Sequence, residues 1–138
     1  MNTNTSRWIG IAILALWATS LALPAFSTCR AGYDHVGGWF VLMMGWMGVI
    51  ILQPAWIANI GILIIAVILI AKRHAPIWLG IPTALLAGCA LYFTDMVDDT
   101  GNVPICHYHA GYWLWLAVAA LALAATFLPR GVQSKPES

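Results

Sequence analysis

The groups that could do chemistry gather in two short stretches. Cys29 stands just ahead of Asp34 and His35, and Cys106-His107-Tyr108-His109 places sulfur and imidazole donors in immediate succession. Copper and zinc accept thiolate and imidazole ligands, so Cys106, His107 and His109, with His35 and Asp34 as helpers, are the candidate metal ligands. Met43, Met44 and Met47 could extend a copper path. The spacing weighs against this, because His107 and His109 point the same way only in an extended segment and strong zinc signatures use longer spacings. The expectation is instead an interfacial His/Tyr cluster with its polar tips among lipid headgroups, with no metal and no cofactor. Asp95, Asp98 and Asp99 share one face if helical, but they lack the ligand spacing of a calcium loop. They read as a solvated acidic loop.

Cys29 and Cys106 each lie near the end of an apolar run, and a topology that puts both on an oxidising face makes a Cys29–Cys106 disulfide the candidate bridge. The competing reading is two unpaired thiols packed as small hydrophobes. Cys89, between Gly88 and Ala90, reads as inert packing. Disulfide-generating quinone reductases need a reactive pair that exchanges with a second pair, and three cysteines cannot run such a relay. The apolar runs hold no Asp, Glu, Lys, Arg or His, whereas ion-coupled transport normally requires an ionisable group within the bilayer. Small multidrug exporters depend on a glutamate in their first helix, and residues 8–26 contain none. The chain is not expected to be an enzyme.

These residues must be held by apolar elements. Of 138 residues, 62% are hydrophobic and 8% charged, with a mean hydropathy of +0.84. A soluble domain carries about 25% charged residues, so the reading is a membrane protein of the bacterial inner membrane. A net charge of +1 cannot supply the basic stripe that nucleic acid needs. The apolar runs predict an all-α protein with four transmembrane helices, at 8–26, 55–71, 77–94 and 112–128, forming one bundle over 1–128. Residues 37–71 are too long for one helix across a core of about 30 Å, and Gln53-Pro54 is the natural break. Residues 38–52 then form an additional apolar outer-leaflet segment, interfacial or re-entrant. Five spans are the alternative, and the distribution of Lys and Arg does not separate the two. Both put Lys72, Arg73 and the 129–138 tail in the cytoplasm, the tail disordered, and the 95–109 loop outside. The first run also admits a signal-peptide reading, with Ser20-Leu21-Ala22 as a cleavage site; an uncleaved helix is the preferred one.

Trp8, Trp39, Trp56, Trp78, Trp113 and Trp115 fall near the ends of apolar runs, as an aromatic belt would. Ala117, Ala120 and Ala124, like Ala84 and Gly88, have the spacing that lets helix backbones approach and are read as internal packing. Asn59 is read either as a hydrogen-bonding group across helices or as an N-terminal cap or lipid-interface residue. The order Cys29, Gly38-Trp39, Gly45-Trp46, Trp56-Ile57-Ala58-Asn59 and Gly111-Tyr112-Trp113-Leu114-Trp115-Leu116-Ala117 resembles a set of small bacterial multi-pass inner-membrane proteins. That resemblance implies a span opened by Trp56–Asn59 and another opened by Gly111–Ala117, and carries over no catalytic residue. The expected role is binding: recognition of another membrane protein or of a membrane-inserting toxin, as an immunity protein or accessory subunit does. Metal or thiol-redox handling at the outer face, and an oligomeric channel or transporter subunit, are the alternatives. The sequence leaves the oligomeric state open.

Overall fold

The computed structural model describes residues 3–29, 35–47, 53–71, 74–98 and 101–128. Helix α1 (Thr3–Ala22) leads into strand β1 (Pro24–Thr28), where Pro24 ends the helix and opens the strand at its first residue, a position a sheet tolerates for proline. Strand β2 (Val36–Gly37) runs straight into the short helix α2 (Gly38–Met44), which continues as a tighter helical turn to Met47. A 3-10 turn at Pro54–Ile57 starts helix α3 (Ala58–Ile70), and helix α4 (Ile77–Gly88) relaxes into another at Cys89–Tyr92. Strands β3 (Asp95–Asp98) and β4 (Gly101–Tyr108) form a hairpin that delivers the chain to helix α5 (Ala110–Thr126). Gly101 takes a φ of +113°, a conformation that suits glycine alone and lets the hairpin close.

The four longer helices form a bundle in which α1 packs on α3 and α5, and α4 on the same two. Its core is Ile13, Ile62, Ile65, Ala66, Leu69, Val118, Ala119, Ala122 and Ala125, all buried. Close approach is set by glycine. A Cβ on Gly10 would stand 2.7 Å from the Ala66 carbonyl oxygen, and one on Gly80 would stand 2.7 Å from Thr126 Oγ1. A Cβ on Gly61 would overlap the buried Thr83 side chain. Toward the sheet end of the bundle, Asn59 Oδ1 accepts the indole N–H of Trp17 from α1 and of Trp115 from α5, each at 2.9 Å. Its amide group donates back to the Trp56 carbonyl at 3.0 Å. Of its sequence readings, the interhelical one holds. Ser6 Oγ adds a buried bond to the Leu69 carbonyl at 3.0 Å, so both ends of α1 are tied to α3. With Ile13 fully buried in the core, α1 is an integral helix of the bundle.

The expectation of an all-α protein with four transmembrane helices, or five, is overturned. An antiparallel sheet of order β2-β1-β4-β3 sits at the end of the bundle. Among the described residues one helix, Asn4–Ala22, is long and apolar enough to cross a membrane by length and composition. The physical reason is that apolar runs are not continuous helix. The run at 8–26 ends in strand β1, and the helix begins earlier, at Thr3. The run at 77–94 divides into α4, a 3-10 turn and extended chain, and the run at 55–71 opens with a 3-10 turn. The apolar stretches Pro54–Ile70 and Ala110–Thr126 stay in the 10–17-residue class, about 26 Å at most against a hydrocarbon core of about 30 Å. The 95–109 loop is largely strand. Residues 38–47 form a short helix with Trp39, Met43, Met44, Trp46 and Met47 exposed, while 48–52, Lys72, Arg73 and the 129–138 tail lie outside the described residues.

Two packing expectations are also corrected. Ala117, Ala120 and Ala124 face outward, and the buried small residues of α5 are Ala119, Ala122, Ala125 and Thr126. Nothing lies within 4 Å of a Cβ on Gly88. Trp8, Trp39, Trp78 and Trp113 are exposed, but Trp56 and Trp115 turn inward as donors, Trp56 to the Leu42 carbonyl at 2.7 Å.

Asn59→Leu leaves two indole N–H groups without their acceptor, at about 1–3 kcal/mol for each unsatisfied group. The expected result is a destabilisation of about 2–4 kcal/mol, read by denaturant unfolding of the detergent-solubilised protein; a loss below 0.5 kcal/mol contradicts the shared-acceptor role. Gly10→Ala and Gly88→Ala should differ in sign. The first forces α1 from α3 and costs upwards of about 1 kcal/mol, while the second is neutral or stabilising by up to about 1 kcal/mol; paired melting curves check both.

Candidate functional site

The site is the sheet and the residues it fixes. Strand β1 is central, paired with β2 through Phe26↔Val36 and with β4 through Phe26↔Tyr108 and Ser27↔His107. The β1–β4 ladder shifts register between Ser27 and Thr28. There Pro104, which has no N–H to give, still accepts from the Cys29 backbone N–H at 3.0 Å. Phe26, Ala25 and Val36 are buried beneath the sheet with Phe40, Phe93, Met96, Ile105 and Tyr108 against them. Phe26 meets Phe93 edge-on at 6.0 Å. The sheet therefore has a small apolar core of its own, distinct from that of the bundle.

The expected disulfide is present: Cys29 and Cys106 are bridged, their Cα atoms 5.1 Å apart across a sequence separation of 77. It links the end of β1 to β4, so it staples two neighbouring strands and, through them, α1 to α5. Cys106 is consequently no thiolate, and the candidate set Cys106, His107 and His109 loses its sulfur ligand. Among the described residues no group of three or more His, Cys, Asp or Glu side chains gathers to hold a metal ion. His107 lies exposed on β4, as the extended segment allows. His109 sits one residue past the strand, at the N-cap of α5, its backbone N–H donating to the Ala25 carbonyl at 2.8 Å. There its ring meets that of His35, with centroids 5.3 Å apart. Of the helpers read from the sequence, His35 is thus brought to His109, from the far side of β1; Asp34 lies outside the described residues. Cys89 is a free thiol whose Sγ contacts the Leu85 carbonyl at 3.5 Å, as a packing cysteine would.

The acidic residues do not share a helical face, because Asp95 is in strand β3; Asp99 lies outside the described residues. Asp95 Oδ2 accepts from Thr94 Oγ1 at 2.9 Å. Nearby, Tyr108 donates its hydroxyl to the Phe93 carbonyl and stacks at 4.5 Å on Tyr112, whose own hydroxyl donates to the Ala90 carbonyl at 2.9 Å. Burial, and then the negative charge of Asp95, hold the Tyr108 phenol above its ordinary 10.0. The Tyr108 phenol thus ties β4, and the Tyr112 phenol α5, to the segment that follows α4. Comparison with protein-family models, curated proteins and solved structures finds no match to this chain.

Two outcomes follow for the staple and the phenol. Reduction, or the double substitution Cys29→Ser with Cys106→Ser, releases a long loop and should cost up to about 4 kcal/mol, seen as a drop in unfolding midpoint under reducing conditions; an unchanged midpoint removes the staple from the account. A tyrosine whose pKa is raised on folding stabilises the fold fully below pH 10.0 and loses that contribution as pH climbs through the raised value. Tyr108→Phe should therefore lessen the alkaline fall in stability and leave the acid side of the profile alone, as pH-dependent melting will show.

Proposed function

We propose that this protein is a non-enzymatic, membrane-anchored binding protein whose stapled sheet recognises another membrane protein or a membrane-inserting toxin. The observation that carries the reading is the covalent bridge within the exposed sheet. A surface already held rigid loses less conformational freedom when a partner docks. On the same sheet Asn102, Pro104 and His107 are exposed on β4, with His35 exposed beside β2. The bundle beneath presents apolar side chains outward, among them Trp8, Trp78 and Leu85, each about two-thirds exposed (68%, 70% and 68%). Large apolar side chains exposed on both α1 and α4 favour lipid or protein against the bundle. With the candidate membrane helix Asn4–Ala22, this exposure supports residence in a bacterial inner membrane. A lasting disulfide fits an oxidising compartment, which supports the sheet on the outer side. An immunity protein and an accessory subunit of a larger complex are both versions of this role.

The experiment is site-specific photo-crosslinking in intact cells, with the probe at Asn102 or His107 on the sheet and at Leu85 on the flank. One discrete protein adduct from both sheet positions, absent at Leu85, is the expected result. Adducts from the flank alone would place recognition elsewhere. For the immunity version, removal of the protein should sensitise cells to a pore-forming toxin by at least tenfold in killing titre, and unchanged sensitivity rejects it.

A further inference from the structure

We propose that His35 and His109 form an open two-imidazole site for a divalent ion of the zinc class. The inference goes beyond the binding reading and does not depend on it. The two histidines are far apart in sequence and are brought together by the sheet. Phe26 of β1 pairs with Val36 on one side and Tyr108 on the other, so His35 and His109, each next in the chain to one of those partners, stand on opposite sides of β1, and their rings meet. His109 is fixed there by its backbone bond to Ala25, and its ring lies 5.3 Å from that of His35 at an interplanar angle of 60°. Two imidazoles bound to one tetrahedral zinc, with metal–nitrogen bonds of about 2.0–2.1 Å, have centroids roughly 5.2 Å apart. A cis pair on a square-planar copper would bring them to roughly 4.5 Å by the same reckoning. The observed edge-on spacing of 5.3 Å is compatible with the tetrahedral case.

A second, independent observation points to a ligand. His109 Nε2 is shut off from solvent and has no hydrogen-bond partner among the described residues. An imidazole nitrogen buried without a partner is costly, by about 1–3 kcal/mol, and a bound cation is the kind of group that would satisfy its lone pair. His35 is exposed, so an ion has a path in from the aqueous side. Two protein ligands leave two tetrahedral positions for water or for donor atoms of another molecule. Of the ligands read from the sequence only His109 and His35 enter this site: Cys106 is spent in the disulfide, and His107 takes no part.

The test uses the full chain without an affinity tag, purified in detergent and stripped of metal. Zinc is titrated calorimetrically, and cobalt(II) is added to a parallel sample to read coordination from its visible absorption. Wild type is expected to bind one zinc per chain and to give the intense cobalt band of a tetrahedral site. His35→Gln and His109→Gln should each weaken zinc binding at least tenfold and abolish the band, with His107→Gln unchanged. The mass of the unreduced protein reports whether the Cys29–Cys106 bridge survives in each variant. Because His35 is exposed, H35Q keeps the test decisive even if H109Q fails to fold. The proposal is overturned by an absence of saturable one-to-one zinc binding in wild type, by binding that persists in H35Q, or by a loss confined to His107→Gln. Copper(II) binding without zinc binding would equally overturn the assignment of the ion.

Discussion

One carbonyl oxygen, Oδ1 of Asn59, accepts from two tryptophans on two different helices, and the arrangement of the bundle depends on it. A packed apolar interface is tolerant of small rotations, because dispersion contacts are many and individually weak. Two indole N–H groups aimed at one oxygen are not. They set the rotation of α1 and α5 about their own axes relative to α3, and an alternative rotation would leave polar groups unpaired in an apolar setting. The same register brings Gly10 against Ala66 and Gly61 against Thr83. In apolar surroundings helices gain little from burying leucine, and close backbone approach with a few hydrogen bonds takes over the specifying role. Asn59 and the glycines act together in that sense.

That rotation also determines what happens at the end of the bundle. Gly111, at the start of α5, lies where a Cβ would stand 2.7 Å from the Pro24 carbonyl oxygen, so α5 and the α1–β1 junction meet backbone to backbone. With those two chains side by side, β1 and β4 pair without a further choice, and Cys29 and Cys106 arrive within bridging distance. The disulfide therefore consolidates a neighbourhood that the helices have already prepared. Tyr108 and Tyr112 complete the attachment by donating to carbonyls in the segment that follows α4.

The sequence carries part of this plainly and part not at all. The Cys29–Cys106 bridge could be anticipated from two cysteines near the ends of helical runs, and Asn59 from being a lone amide within an apolar segment. The sheet was missed because its strands are short, and because β4 contains Pro104, which argues against a central strand. The usable signal was local: Asp99-Thr100-Gly101 between Asp95–Asp98 and the alternating Val103, Ile105 of β4 is turn chemistry between extended runs. Spacing of small residues was misleading on α5, where two interleaved alanine stripes exist and only the tertiary contacts decide that Ala119, Ala122 and Ala125 face inward. His35 could be named as a helper to His109 from its residue type, but the contact itself comes from tertiary structure, with β1 between the two strands that lead to them.

The location of the sheet follows from the same solvent logic. A sheet of order β2-β1-β4-β3 that does not close on itself has two edge strands, and their outward backbone groups need partners that hydrocarbon does not supply. The exposed flank of the bundle is the reverse case: its helical backbone is satisfied internally and its side chains are apolar. One molecule thus presents two surfaces with opposite solvent requirements, joined at the backbone contact of Gly111 with Pro24. If lipid covers the flank, the sheet must stand in water, with Trp39 of α2 and Trp113 of α5 exposed near the join, where tryptophan's apolar ring and polar N–H suit the boundary. The arrangement of polar and apolar surface, more than the length of any single helix, dictates which way the molecule would sit.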